Sequence, residues 1–219
     1  MPRHIDRRIE EFARGLDAMI GSGKSYLESM PQAQAELTKL LTHRGLVTDL
    51  LAEVVSGKQF PQQLFHAVDS HDFVLYRSPT GSFSLRLYVW VPGHQYRIHD
   101  HGSWGILGAY VNSIRITQYR RRDGGETPGH AVLEEAGSYV LQPGQTSTVL
   151  PFDEGIHCTQ SATEEVALSI HAYGRAMRRG FIHVFDPDKK AVYRLGTPML
   201  QKSIFAIKAL SVLGKDDEV

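Results

Sequence analysis

Two kinds of hydrophobic spacing divide the chain. Ile5, Ile9, Phe12, Leu16, Met19 and Ile20 recur at intervals of three and four, the period of a helix with one apolar face. A second such run, Leu37, Leu40, Leu41, Val47, Leu50, Leu51 and Val54, has Gly45 in its middle, which marks a break. Phe60-Pro61 and the next few residues close this helical part. From about residue 72 the period changes to two. Phe83–Trp90, Ser113–Tyr119 and Ala167–Tyr173 alternate as half-buried strands do. Turn signals at Pro79-Thr80-Gly81, Pro92-Gly93, Asp123-Gly124-Gly125 and Pro143-Gly144 separate the short strands. Such spacing predicts an antiparallel sandwich or barrel, mostly β, of the jelly-roll kind. Asp186-Pro187-Asp188 reads as a turn after the last long strand, and 198–214 as a final helix on the outside. The expected organisation is therefore 1–66 as helices packed on a barrel, 67–190 as the barrel, and 191–219 as a C-terminal extension. There is no internal repeat or low-complexity linker.

At 219 residues the chain can bury one full core. Its 24 basic and 24 acidic residues balance, so no global field favours nucleic acid or a membrane, and neither is expected as a partner. Arg120-Arg121-Arg122 runs straight into Asp123-Gly124-Gly125 and reads as a solvated strand end entering a turn. No apolar run is long enough for a membrane span, and the charged N-terminus is no secretory signal. Cys158 is the single cysteine, which excludes an internal disulfide and suits a reducing cytosol; a cytoplasmic protein is expected. Adjacent strand residues face opposite ways, so Cys158 is assigned to packing and not to the site of its neighbour His157.

The candidate chemistry begins at His99-Asp100-His101, six residues after Gly93. Residues two apart on a strand point to one face, so both imidazoles can reach the same point. A third imidazole from a neighbouring strand, His157 in Pro151-Phe152-Asp153-Glu154-Gly155-Ile156-His157, would complete a three-nitrogen metal site with open positions. Imidazole suits iron, nickel, copper, zinc and manganese alike. A His-x-His pair alone is weak in a chain with eleven histidines, and its context carries the argument. Ser169, His171 and Tyr173 also share a strand face, opposite Leu168, Ile170 and Ala172. A hydroxyl, an imidazole and a phenol in a row can form a hydrogen-bond chain that holds the phenolic proton towards a metal.

Gly-x5-His-x-His followed later by Pro-x3-Gly-x-His resembles the two motifs of the cupin superfamily of small metal-binding β-barrels. The usual glutamate after the second histidine is missing, because Gly102-Ser103-Trp104-Gly105-Ile106 holds no carboxylate. Three neutral imidazoles leave a divalent metal its full charge, which suits an anionic thiolate and reduced dioxygen. His-Asp-His-Gly-x-Trp-Gly, with Tyr76-Arg77 before it and Ser169-Ile170-His171-Ala172-Tyr173 after it, is similar to the cysteine dioxygenase and 3-mercaptopropionate dioxygenase family, in its bacterial form, over roughly 73–188. That resemblance implies a jelly-roll barrel binding Fe(II) through His99, His101 and His157, with Ser169, His171 and Tyr173 as the catalytic triad. It implies a small thiol carboxylate, L-cysteine or 3-mercaptopropionate, oxidised by O2 to its sulfinic acid. The cysteine that animal members cross-link to the tyrosine is absent from Trp104-Gly105-Ile106, so that cross-link cannot form.

Family members hold the substrate carboxylate just after a tyrosine upstream of the histidines. Here that position is Arg77 or Ser78. Arg86 is a second candidate, on the face of Tyr88 and Trp90; it is either an inward arginine awaiting a substrate carboxylate or a rim arginine paired with Asp or Glu. Two rival functions stay open: a cupin dioxygenase acting on another sulfur or carbon substrate, and a non-catalytic ligand-binding cupin. A monomer or small homo-oligomer is expected.

Overall fold

The computed structural model describes residues 6–56, 69, 71–94, 96–177 and 180–196. Phe60-Pro61, the boundary expected at 66 and the helix expected over 198–214 lie outside the described residues. Helix α1 spans Arg7–Gly21 and opens on Asp6, whose carboxylate accepts the Arg8 N–H at 2.9 Å. Helix α2, Tyr26–Leu41, starts well before the apolar run that announces it at Leu37. Its start is set by a capping box, with Ser25 accepting from the Glu28 N–H and the Glu28 carboxylate accepting from the Ser25 N–H. The early part of its buried face is Ser29, Met30 and Ala33, mostly small residues that a count of large apolar side chains misses. Gly45, at φ 88°, turns the chain into α3, Thr48–Val55.

The strands are β1 Asp72–Arg77, β2 Phe83–Trp90, β3 Ile98–His99, β4 Gly105–Val111, β5 Ile114–Arg121, β6 Leu133–Leu141, β7 Thr146–Val149, β8 His157–Ser161, β9 Ala167–Gly174, β10 Phe181–Asp186 and β11 Ala191–Gly196. They form a five-stranded sheet in the order β1-β2-β9-β4-β7 and a six-stranded sheet in the order β11-β10-β3-β8-β5-β6, and their recorded pairings are antiparallel. Two such sheets, with strands crossing between them along the chain, make the jelly-roll architecture that the alternating pattern implies. Among the described residues no helix is long and apolar enough to cross a membrane.

Alternation in the five-stranded sheet separates two environments. Leu85 and Leu87 of β2, Ile106 of β4, and Ile170 and Ala172 of β9 point outward, where they join α1 and α2 through Phe12, Leu16, Leu37 and Leu41 in one fully buried core. Gly108 lets α2 come this close, because a Cβ there would stand 2.4 Å from Leu41 Cδ1. The opposite face looks into the barrel. At one end it is apolar, with Trp90, Leu107, Ala109 and Ala167 packed on Ile114 and Ile116 of the other sheet. At the other end it carries Arg86, His171 and Tyr173, and there a cavity opens.

Candidate metal centre and its cavity

Strand pairing delivers the distant histidine. His99 ends β3, His157 begins β8, and the two stand directly opposite each other in the antiparallel ladder. His101 follows just past the end of β3, so the two-residue spacing acts only partly through a regular strand. Asp100 replaces the missing strand: its N–H donates to the His183 carbonyl at 3.1 Å, and its carboxylate accepts from the His183 N–H at 2.7 Å and pairs with the His183 ring at 3.0 Å. The glycines of the two motifs have steric reasons. Gly93 sits at φ 74° in the left-handed region, and a Cβ on Gly155 would lie 1.8 Å from the Leu150 carbonyl oxygen.

The ligating atoms of His99, His101 and His157 all lie within 4.8 Å of one another, and among the described residues they form the cluster placed to hold a metal ion. The Nδ1 atoms of His99 and His157 face the carbonyls of Arg97 and Gly155 at 3.0 and 2.8 Å. A carbonyl only accepts, so the hydrogen sits on Nδ1 and each Nε2 keeps a lone pair for a metal. Burial pushes all three imidazoles towards the neutral, ligating form, and His157 falls to about 3. Three neutral nitrogens with no carboxylate among them fit a divalent transition metal.

The cluster forms part of the wall of a cavity of about 550 Å³. Beside it, Ser169, His171 and Tyr173 do form a chain: Ser169 Oγ lies 2.7 Å from His171 Nε2, and His171 Nδ1 lies 2.9 Å from the Tyr173 hydroxyl. That hydroxyl stands 3.5 Å from His101 Nε2, and the two rings stack. Gly105, directly opposite Tyr173 in β4, makes room for the phenol, since a Cβ there would be 2.7 Å from the ring. Burial raises the Tyr173 pKa above its ordinary value, so the phenol keeps its proton. Cys158 lies off the site, its thiol pointed at the Tyr96 carbonyl and pushed by burial up to about 11.

The structure distinguishes the candidate anchors. Arg86 does point inward, but its anionic partner is already there: it forms an ion pair with Asp72, whose side chain is only 4% exposed. A bulge in β1 between Val74 and Tyr76 reverses the faces of the strand end, placing Arg77 opposite the inward Ser84 and hence on the cavity side. Ser78 instead turns its hydroxyl to Asp17 of α1 at 3.0 Å. Tyr88 is half-buried against the His171 ring, and the Trp90 indole N–H donates to Ser169 Oγ at 2.8 Å.

Sequence reasoning missed several cavity residues, Asp72, Arg175 and His71 among them. Asp72 could have been found by pairing the hairpin across Pro79-Thr80-Gly81, which sets it opposite Tyr88 and diagonal to Arg86. Arg175, at the rim, donates to the Thr80 and Gly81 carbonyls and ties β9 to that hairpin. His71, against Tyr88, Trp90 and Tyr96, is held by burial at about 4; nothing in its sequence context marks it.

No protein-family model matches the chain. Solved structures resemble it at a distance. A cupin-like protein from Thermotoga maritima is 16% identical over 57% of this chain and 75% of its own, with a TM-score of 0.35. The cupin domain of Schizosaccharomyces pombe Cnp3 is 8% identical over 48% of this chain and 59% of its own, with a TM-score of 0.35. Oxalate decarboxylase from Bacillus subtilis, a protein with Mn(II) centres, is 19% identical over 43% of this chain, with a TM-score of 0.33. The match spans only 22% of the decarboxylase chain. Likenesses this remote say nothing about ligand or reaction, and the architecture stands on the strand order itself.

Two outcomes are expected of the site. The wild-type protein binds one divalent transition metal per chain, and His157→Ala weakens that binding by more than about 100-fold, the loss known for outer-shell partners being smaller; titration calorimetry with Co(II) reads this. The second concerns acid. His71 near 4 and His157 near 3 stand below the ordinary 6.5, so the unfolded chain binds more protons. Their contribution to stability is complete above about pH 6.5 and is lost progressively as the pH falls through the folded values. The urea midpoint of metal-free protein should drop between about pH 7.5 and about pH 5; an unchanged midpoint contradicts the buried neutral state.

Proposed function

We propose that the chain is a mononuclear non-haem iron thiol dioxygenase, converting a small thiol carboxylate and O2 to the sulfinic acid. The observation that carries the reading is the joining of a carboxylate-free three-histidine cluster to a proton-bearing phenol 3.5 Å from one of its imidazoles, inside one cavity. When bound, the metal supplies a positive centre that favours the thiolate and an electron source for dioxygen. The protein does the rest. His99, His101 and His157 would hold the ion and offer no negative charge to compete with the thiolate. Tyr173, kept protonated by burial, presents its hydroxyl at the edge of the cluster to orient oxygen or donate a proton. Arg77 at the cavity wall is the candidate partner for the substrate carboxylate, while Arg86 with Asp72 shapes the pocket beneath Tyr88 and Tyr173.

One observation favours a second reading. Asp72 neutralises the inward Arg86 and Asp17 takes the Ser78 hydroxyl, so two of the three candidate carboxylate anchors are already engaged within the protein. A dioxygenase of the same build acting on another sulfur or carbon substrate would show that arrangement.

The test is oxygen uptake by anaerobically iron-loaded protein on adding L-cysteine or 3-mercaptopropionate, with mass detection of the product. Sulfinate from either thiol is the expected result, and uptake confined to a non-thiol overturns the leading reading. Tyr173→Phe should keep its iron and lose turnover by about 100-fold, the range for a positioned proton donor; unchanged turnover removes the phenol from the chemistry.

A further inference from the structure

The geometry points to a role for Trp90 as the residue that sets the direction of the hydrogen-bond chain through Ser169 and His171, and so aims the Tyr173 proton at the metal cluster. Trp90 lies where the apolar end of the barrel meets the polar end, and it is 3% exposed. Its indole N–H donates to Ser169 Oγ at 2.8 Å, reaching diagonally across the β2–β9 pair, in which Tyr88 is the residue opposite Ser169. An indole N–H can only donate. Ser169 is fully buried, and its two recorded side-chain partners are the indole and His171 Nε2, 2.7 Å away.

The direction then follows link by link. The serine oxygen accepts from Trp90, so its own hydrogen has one acceptor, His171 Nε2. Nε2 therefore carries a lone pair. A neutral imidazole must then hold its hydrogen on Nδ1, which donates to the Tyr173 oxygen at 2.9 Å. With that oxygen accepting, the phenolic hydrogen is free to point at His101 Nε2, 3.5 Å away, or at whatever the cluster holds. The reverse direction would leave the Ser169 hydrogen buried with no acceptor, which costs more than leaving it paired. Trp90 is thus a positioning residue, three hydrogen bonds away from the phenol proton.

What this proton does in catalysis rests on the metal-site reading above, but its direction can be measured without metal or substrate. The experiment is nitrogen NMR of metal-free, histidine-labelled protein, which distinguishes the two neutral tautomers of His171. Wild-type protein should show His171 hydrogenated at Nδ1. In Trp90→Phe the serine oxygen loses its donor, each direction leaves one serine group unpaired, and both tautomers should appear. Benzothienylalanine at position 90 keeps the indole shape without the N–H and should give the same mixture, separating the hydrogen bond from packing. Hydrogen on Nε2 in the wild type, or pure Nδ1 hydrogenation surviving in the benzothienylalanine protein, overturns the assignment. Neither result depends on which substrate, if any, the metal-loaded protein oxidises.

Discussion

The whole site hangs on one rung of a β-ladder, the pairing of His99 at the end of β3 with His157 at the start of β8. A slip of one residue would turn His157 away and bring Cys158 to the cavity side, because side chains alternate along a strand. Several constraints prevent it. β8 is also paired along its length with β5, from Gln118 opposite His157 to Ile114 opposite Ser161. Gly155 lets the chain enter β8 against the Leu150 carbonyl, where a side chain would not fit. Asp100 ties the far end of β3 to His183, so the short strand is clamped on both sides.

A second constraint joins the two sheets. The histidine cluster belongs to the six-stranded sheet and its margin, while Ser169, His171 and Tyr173 belong to the five-stranded one. They meet where Tyr173 stacks on His101. The position of the phenol is fixed from behind: the outward residues of β9 are locked into the helix-covered core, and Gly105 leaves the gap into which the ring fits. The N-terminal helices thus act on the site through the sheet. Asp17 of α1 reaches further, holding Ser78 and Ser82 of the hairpin beside Arg77.

Much of this was legible from local pattern. The alternation of β2 and β9 put Tyr88 with Trp90, and Ser169 with His171 and Tyr173, on shared faces, and the helical period placed α1. The His-x-His spacing marked the first two imidazoles, although the strand that motivated it ends at His99 and Asp100 supplies the order beyond. His157 was visible only through its motif. Cross-strand partnerships were not legible. The Asp72–Arg86 ion pair needs the hairpin register, and the inward turn of Arg77 needs a bulge that no residue type announces. The start of α2 was hidden because small residues, Ser29 and Ala33, carry its buried face.

If three imidazoles hold one metal and leave room beside it for a thiol, the ligand shell of the metal must show both. X-ray absorption at the iron edge, on reconstituted protein before and after adding L-cysteine or 3-mercaptopropionate without oxygen, tests it directly. An imidazole-rich shell of nitrogen and oxygen scatterers that gains a sulfur when the thiol is added is the expected result. A shell without the imidazole signature, or one that no small thiol alters, would contradict it.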